Sequence, residues 1–176
     1  MASEKAIALQ SLYLAQNPNQ DDLSKLVAHK ENNAYTLAHS IYHEWFREVS
    51  KRFGFYDLIL IDGESGDIVY TVFKEIDLGG NLLTGSLSRS NLGLLYRDVL
   101  QQKQRGLVKM TDFAFYRPSG GTSASFIATP IYSNFKFLGV LVAQLSVEAL
   151  NKFMTNGRTW RKEGLGETGE VLLVGS

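Results

Sequence analysis

A short acidic turn between two apolar runs is the feature that most constrains how this chain folds. The runs are Leu58 to Ile61 and Ile68 to Val72, and the turn between them reads "DGESGD". The runs are rich in residues that suit strands. The turn pairs aspartate with glycine, which adopts positive φ without a side-chain clash. This stretch therefore predicts an antiparallel β-hairpin.

Three further strand-like runs follow one another later in the chain. They are Leu107 to Tyr116, Ala124 to Tyr132 and Phe137 to Ser146, separated by the turns "RPSGGTS" and "SNFK". Between the hairpin and these runs, Ser90 can cap a helix that Gly106 ends. A second helix is predicted to follow Ser146 and to close at Gly157. Strands in a meander with helices to one side predict an α+β fold.

The N-terminal third is predicted to be helical, with one long helix from Asp21 to Arg52. About thirty residues would make roughly 45 Å of helix. Its apolar positions recur at steps of three and four and form one stripe: Leu23, Val27, Ala34, Leu37, Ala38, Ile41, Trp45 and Val49. A stripe of this length is more than one sheet needs. We therefore expect a homodimer through this helix.

Composition excludes several classes of function. Lys plus Arg number 18 and Asp plus Glu number 18, so the formal net charge is zero. A neutral chain has no general attraction for nucleic acid. There is no cysteine, which excludes disulfides, thiolate metal sites and cysteine nucleophiles. No stretch approaches the ~20 apolar residues of a membrane span.

The catalytic and cofactor motifs in the chain are weak. "GLGETG" at Gly164 to Gly169 matches a dinucleotide fingerprint, but a strand-like run follows it where the fingerprint requires a helix. His39 and His43 have metal-ligand spacing, yet a zinc site needs three or four ligands, so a polar helix face is the simpler interpretation. No nucleophile, base and orienting group assemble from motifs. We therefore expect no cofactor, no metal and no enzyme activity.

Strand alternation predicts a small-molecule pocket on one face of the sheet. It places Tyr70 with Lys74 and Asp112 with Tyr116. A few polar groups converging in an apolar cleft are the usual mark of a ligand site. The candidate ligand-binding residues are Tyr70, Lys74, Tyr96, Asp112, Tyr116 and Phe126. The alternative interpretation is a surface pair between Asp112 and Lys74, with the aromatic residues filling an ordinary core.

Four motifs in order resemble the extracytoplasmic PAS-like sensors called Cache domains. They are "FYDLILIDGESGDIVYTVFKEIDLGGNLLTG", "DFAFYRPSGGTSASFIATPIY", "GVLVAQ" and "GLGETGEVLLVG", between Phe55 and Gly175. The resemblance implies a five-stranded sheet in the order 2-1-5-4-3 and a long helix that leads from a membrane span. It also implies an extracytoplasmic sensor of the chemotaxis-receptor type that binds a small molecule. A histidine-kinase or nucleotide-cyclase sensor, or a partner-binding module without a small ligand, is the alternative.

The same resemblance divides the chain into three parts. Residues 1–52 would be an N-terminal helical region, 53–157 the sensor domain, and 158–176 the start of a second, membrane-proximal module. The chain stops within a strand-like run, so we expect it to be a fragment of a longer receptor. About nineteen residues are too few to fold alone. The Arg and Trp of the amino-acid-binding members are not placed, since Trp45 and Trp160 lie outside the pocket region.

Overall fold

The computed structural model describes residues 4–147, which form three α-helices and six strands. The helices are α1, Glu4–Gln10, which continues as a wide turn over Ser11–Ala15, α2, Ala34–Phe53, and α3, Asn91–Gln102. The strands are β1, Asp57–Asp62, β2, Ile68–Thr71, β3, Lys109–Met110, β4, Ala114–Phe115, β5, Ser123–Ser133, and β6, Lys136–Ser146. The predicted helix after Ser146 and the module at 158–176 lie outside the described residues.

All strands pair antiparallel, in the order β2-β1-β6-β5-β3, with β4 also on β5. This confirms the predicted α+β class and the predicted order 2-1-5-4-3. The predicted third strand, however, is split into β3 and β4. Between them the Thr111 hydroxyl accepts the N–H of Phe126 at 3.1 Å. A side chain thus replaces a backbone carbonyl in the ladder, and strand alternation does not continue past it.

The long helix begins at Ala34 and not at Asp21, so the predicted start was wrong. The Asn33 side chain caps α2 by accepting the N–H of Thr36 at 2.9 Å. Asp22 instead caps a single 3-10 turn, Leu23–Lys25. Asn33 therefore provides the N-cap of the long helix, which was predicted to begin at Asp21. The 20 residues of α2 make about 30 Å of helix.

The α3 side of the sheet carries the main hydrophobic core. Ser90 caps α3 as predicted, accepting the N–H of Gly93 at 3.1 Å. The helix ends at Lys103, whose φ is 41°, and not at Gly106. The hydrophobic cluster on this side comprises Ile59, Ile61, Ile68, Leu82, Leu92, Leu95, Tyr96, Val99, Tyr116, Ala124, Phe126, Ala128, Val140 and Val142.

Helix α2 covers the opposite side of the sheet with far less apolar contact. The apolar cluster there comprises Leu58, Tyr70, Val72 and Ala143, with Phe46 and Val49 of α2 packed against it. The other buried α2 residues are polar: Thr36, His39, His43 and Ser50. A β-bulge between Leu60 and Ile61 lets β2 send Ile68 to one side and Tyr70 to the other.

The N-terminal segment packs onto the connection that follows β2. Leu12, Tyr13, Leu26 and Leu78 form a small buried cluster, and the Gln10 amide donates to the Leu78 carbonyl at 2.9 Å. Gly79 has φ of 78°, and a Cβ there would lie 2.9 Å from Cα of Ala6. Only glycine therefore allows α1 to approach this connection so closely. Within residues 4–147, no helix combines the length and the apolar character needed to cross a membrane.

Candidate ligand site and its link to the long helix

The structure does not bring the six predicted site residues together. Tyr70 lies on the α2 side, and the Lys74 side chain reaches the same side through His43. Tyr96, Tyr116 and Phe126 are buried on the α3 side, where they form part of the core. The predicted single pocket face is therefore wrong, because one sheet separates the two groups.

The predicted meeting of Asp112 with Lys74 is also not observed. Asp112 is exposed, in the break between β3 and β4, and its carbonyl accepts a long 3.4 Å bond from Asn91. Lys74 is buried and has φ of 55°. Within the described residues no ion pair joins the two side chains, so neither the pocket nor the surface-pair interpretation holds for them.

A chain of directional bonds joins β2 to α2 through His43. Its Nε2–H donates to the Ser24 carbonyl at 2.6 Å, since a carbonyl only accepts. Nδ1 is therefore the acceptor, and the Tyr70 hydroxyl donates to it at 2.7 Å. Lys74 Nζ lies 3.3 Å from His43 Nε2 and donates to the Val72 carbonyl at 3.2 Å. These partners define His43 as the neutral tautomer that carries its proton on Nε2.

Burial favours the uncharged form of each group in this cluster. It lowers the pKa of His43 to about 4, and the charge of Lys74 lowers it further in the same direction. Burial likewise lowers the pKa of Lys74 to about 7. His39 stacks on His43 with ring centroids 4.3 Å apart, and burial lowers its pKa to about 3. The two histidines do lie on a polar face of the helix, as predicted, but that face is buried.

A second polar cluster lies under Tyr116, on the α3 side. The Tyr116 hydroxyl donates to Asp77 Oδ2 at 2.8 Å, and the Ser119 hydroxyl donates to Glu75 at 2.7 Å. The Gln144 amide donates to Ser119 at 2.8 Å. Burial raises the pKa of Asp77 to about 6. Burial and the nearby Asp77 raise the pKa of Asp57 well above its usual range.

The connection after β2 also forms one wall of an open cleft of about 650 Å³. Residues between Gly79 and Ser90 line it on this connection, and Phe115 to Pro118, at the β4–β5 connection, line it as well. Two arginines, Arg89 and Arg117, line the cleft. Its volume lies in the range of small-molecule sites.

Two other cavities adjoin the N-terminal segment. One, of about 300 Å³, is a mainly apolar gap between α1 and β2. The other, of about 890 Å³, is more open and has Asp21, Asp22, Lys74 and Glu75 in its walls. Neither contains two like-charged side chains without partners, and no group of three histidine, cysteine, aspartate or glutamate side chains in residues 4–147 is placed to hold a metal ion.

Sequence reasoning missed both arginines. Each lies in a connection rich in glycine, serine or proline, "TGSLSRS" and "YRPSGG". Residues on such loops carry binding function more often than residues within strands. A charged residue in a turn-rich connection was therefore a usable signal. The prediction of site residues used strand alternation, which does not cover the connections.

No protein-family model matches the chain, and a search of curated proteins gave no match. Solved structures do resemble it. An extracellular ligand-binding receptor from Desulfohalobium retbaense aligns over 89% of this chain and 26% of its own, with 9% identity and a TM-score of 0.51. The sensor domain of the V. cholerae histidine kinase DctB aligns over 86% of this chain and 46% of its own, with 17% identity and a TM-score of 0.48.

The ligand-binding domain of the Pseudomonas aeruginosa PAO1 amino acid chemoreceptor PctC gives 14% identity and a TM-score of 0.44, over 88% of this chain and 65% of its own. The chain thus spans less than two thirds of the length of each of these three proteins. At such low identity the likeness to the Desulfohalobium receptor concerns the fold alone. At that level it agrees with the predicted sensor-type α+β fold.

Proposed function

We propose that the chain is the extracytoplasmic ligand-sensing domain of a membrane-anchored signalling receptor in the inner membrane, of the chemotaxis-receptor type. A single observation carries the proposal. The segment from Tyr70 to Ser90 lines the ligand-sized cleft and is also bonded to His43 of α2 through the Tyr70 hydroxyl, with Lys74 Nζ lying 3.3 Å from the same histidine. A ligand that moves this segment therefore acts on the attachment of the long helix.

The chemistry of the α2 attachment suits a movable element. Its buried polar residues are held by specific bonds, such as Tyr70 to His43 and His43 to the Ser24 carbonyl. Hydrogen bonds have preferred geometries. A change to another set of hydrogen-bond partners would therefore place α2 in a different, discrete position. A close-packed apolar core resists small displacements much more strongly. We propose that binding shifts α2 along or about its axis and that this shift is the output signal.

We further propose that the receptor is a homodimer through the outer face of α2. Leu37, Ile41 and Trp45 follow at four-residue spacing and are 55%, 68% and 61% exposed. The helix thus turns most of its buried polar side chains toward its own sheet and an apolar stripe toward solvent. That inversion is the reverse of an ordinary surface helix, and a second copy of the same stripe supplies a matching surface.

Sedimentation over a concentration series tests the dimer. Ile41→Glu places a charge in the stripe and is expected to weaken self-association at least tenfold. Val108→Glu is the matched control, because Val108 is equally exposed but lies outside α2. A chain that stays monomeric at the highest concentration, or a control that behaves like Ile41→Glu, contradicts the proposed interface.

A thermal-shift screen of small acids, amines and nucleobases tests ligand sensing itself. A ligand at 100 times its Kd stabilises the folded state by about 2.7 kcal/mol. For a domain of this size that raises Tm by about 5–10 °C. If no compound of any class stabilises the chain, a module that responds to a partner protein becomes the better account.

A further inference from the structure

We propose that the open cleft binds a carboxylate with an apolar body, and that Arg89 and Arg117 hold the carboxylate. The proposal rests on the ligand-sensing function above and names the chemical class of its ligand. The two arginines line the cleft from different connections, one before α3 and the other after β4. A ligand that meets both therefore bridges the two connections.

Neither guanidinium has a partner within the described residues. No ion pair, hydrogen bond or ring contact is present for Arg89 or Arg117 in residues 4–147. Arg105, by comparison, lies over the rings of Tyr132 and Phe135. Two unpaired cations in one concave site attract an anion, and the planar guanidinium fork matches a carboxylate in two-point contact.

The only acid in the walls of the cleft does not neutralise them. Asp67 accepts a hydrogen bond from the Asn81 side chain at 2.7 Å and pairs with the Asn81 backbone. The described walls thus carry two positive charges and one negative charge. This sign disfavours an amine as the primary ligand and favours an anion.

Apolar side chains in the same walls are left uncovered. Phe115 is 70% exposed and Ile76 is 61% exposed, and both line the cleft. Uncovered aromatic and aliphatic surface beside a charged group suits a ligand with an apolar body. A bare oxyanion such as phosphate would use the arginines and leave Phe115 and Ile76 exposed to water.

Three compounds of one shape and different charge test the charge preference. We expect calorimetric titration to show binding of benzoate, at least tenfold weaker binding of neutral benzamide, and no binding of cationic benzamidine. Phenylacetate and hexanoate extend the carboxylate series, and inorganic phosphate represents the bare oxyanion. Tighter binding of phosphate than of all three carboxylates would overturn the role of the apolar wall.

Matched variants locate the site. Arg89→Gln and Arg117→Gln are each expected to weaken the best carboxylate about tenfold, as the loss of one hydrogen bond to a charged group does. Arg97→Gln removes the same charge outside the cleft and is expected to leave affinity unchanged. Phe115→Ala is expected to weaken benzoate but not acetate. Equal affinity in the two cleft variants and the wild type would overturn the assignment.

The outcomes separate this proposal from the one on which it rests. If benzamide or benzamidine binds and no carboxylate does, the anion class is wrong while ligand sensing stands. If no compound of this series or of the broader screen binds, both proposals fail. Binding of a carboxylate that depends on both arginines supports the two together.

Discussion

The two sides of the sheet are built from different kinds of contact. Toward α3 the buried side chains are largely aliphatic and aromatic, such as Ile59, Val142 and Phe126. Toward α2 a stacked histidine pair, a tyrosine hydroxyl and a lysine take much of the buried space. One side is held mainly by removal of apolar surface from water, and the other depends on specific hydrogen bonds.

This contrast explains how one domain can be stable and still transmit a movement. The α3 side supplies a permanent core to which the cleft walls are anchored. The α2 side supplies an attachment that costs little to rearrange, since a typical intramolecular hydrogen bond contributes only about 0.5–1.5 kcal/mol net. An element that moves in response to a ligand is drawn from the less stable part of a fold.

The largest effect is expected from a cavity on the α3 side. Phe126 is fully buried and packs edge-to-face on Tyr116 at 4.9 Å. Phe126→Ala is expected to lower the free energy of unfolding by about 3–5 kcal/mol, measured by denaturant titration. Phe135→Ala is the control, because Phe135 is 94% exposed, and it should change stability by less than about 0.5 kcal/mol. A loss under about 1 kcal/mol for Phe126→Ala would show that this side is not the main core.

A smaller effect is expected from a single hydroxyl on the α2 side. Tyr70→Phe removes the donor to His43 Nδ1 and leaves a buried acceptor without it. The expected loss of unfolding free energy is about 1–3 kcal/mol. Tyr42→Phe, on the exposed face of α2, removes a hydroxyl for which the described structure gives no protein partner, and should be neutral. If the two variants are equally stable, directional bonds do not hold α2.

The smallest expected effect is a difference in the pH dependence of stability. A fall in pH lowers the free energy of unfolding through the histidines on the α2 side and raises it through Asp77 on the α3 side. The folded-state pKa values of His39 and His43 are lowered to about 3 and 4. The unfolded chain therefore binds more protons, and stability falls as pH drops below about 6.5. The pKa of Asp77 is raised to about 6, so its folded state takes up a proton first, and its contribution to stability rises as pH falls through 6.

The variant Asp77→Asn separates the two contributions. Protonation of the histidines lowers the free energy of unfolding as pH falls. In the variant, which lacks the Asp77 carboxyl, no gain from Asp77 offsets this decrease. Between pH 7 and pH 5 the variant should therefore lose about 1 kcal/mol more unfolding free energy than the wild type. Denaturant titrations at the two pH values measure this difference. Parallel pH profiles would mean that Asp77 does not titrate in this range in the folded state.

Local patterns predicted the fold well and the site poorly. The hairpin turn and the cap at Ser90 depend on neighbouring residues, and both were correct. The order of the strands came from the family resemblance and not from local patterns, and it was also correct. The start of α2 was not, because the predicted start at Asp21 lies by a single 3-10 turn capped by Asp22, and the helix itself starts after a second capping residue, Asn33.

The position of the site residues depended on contacts that strand alternation does not predict. The Thr111 hydroxyl interrupts the third strand and leaves Asp112 exposed. The buried histidines gave no signal either, because their spacing is the same on a solvated and on a buried helix face. Their burial follows from partners distant in sequence, such as Ser24 and Tyr70.

Native-state amide hydrogen exchange tests the central claim most directly, because it measures the opening free energy of each helix separately. We expect the amides in the middle of α3, such as Val99, and of β6 to exchange only through global unfolding. Those in the middle of α2, such as His43 and Phe46, should exchange through a cheaper opening whose free energy is at least about 1–2 kcal/mol lower. Equal protection of α2 and α3, with both at the global limit, would contradict an attachment that can rearrange.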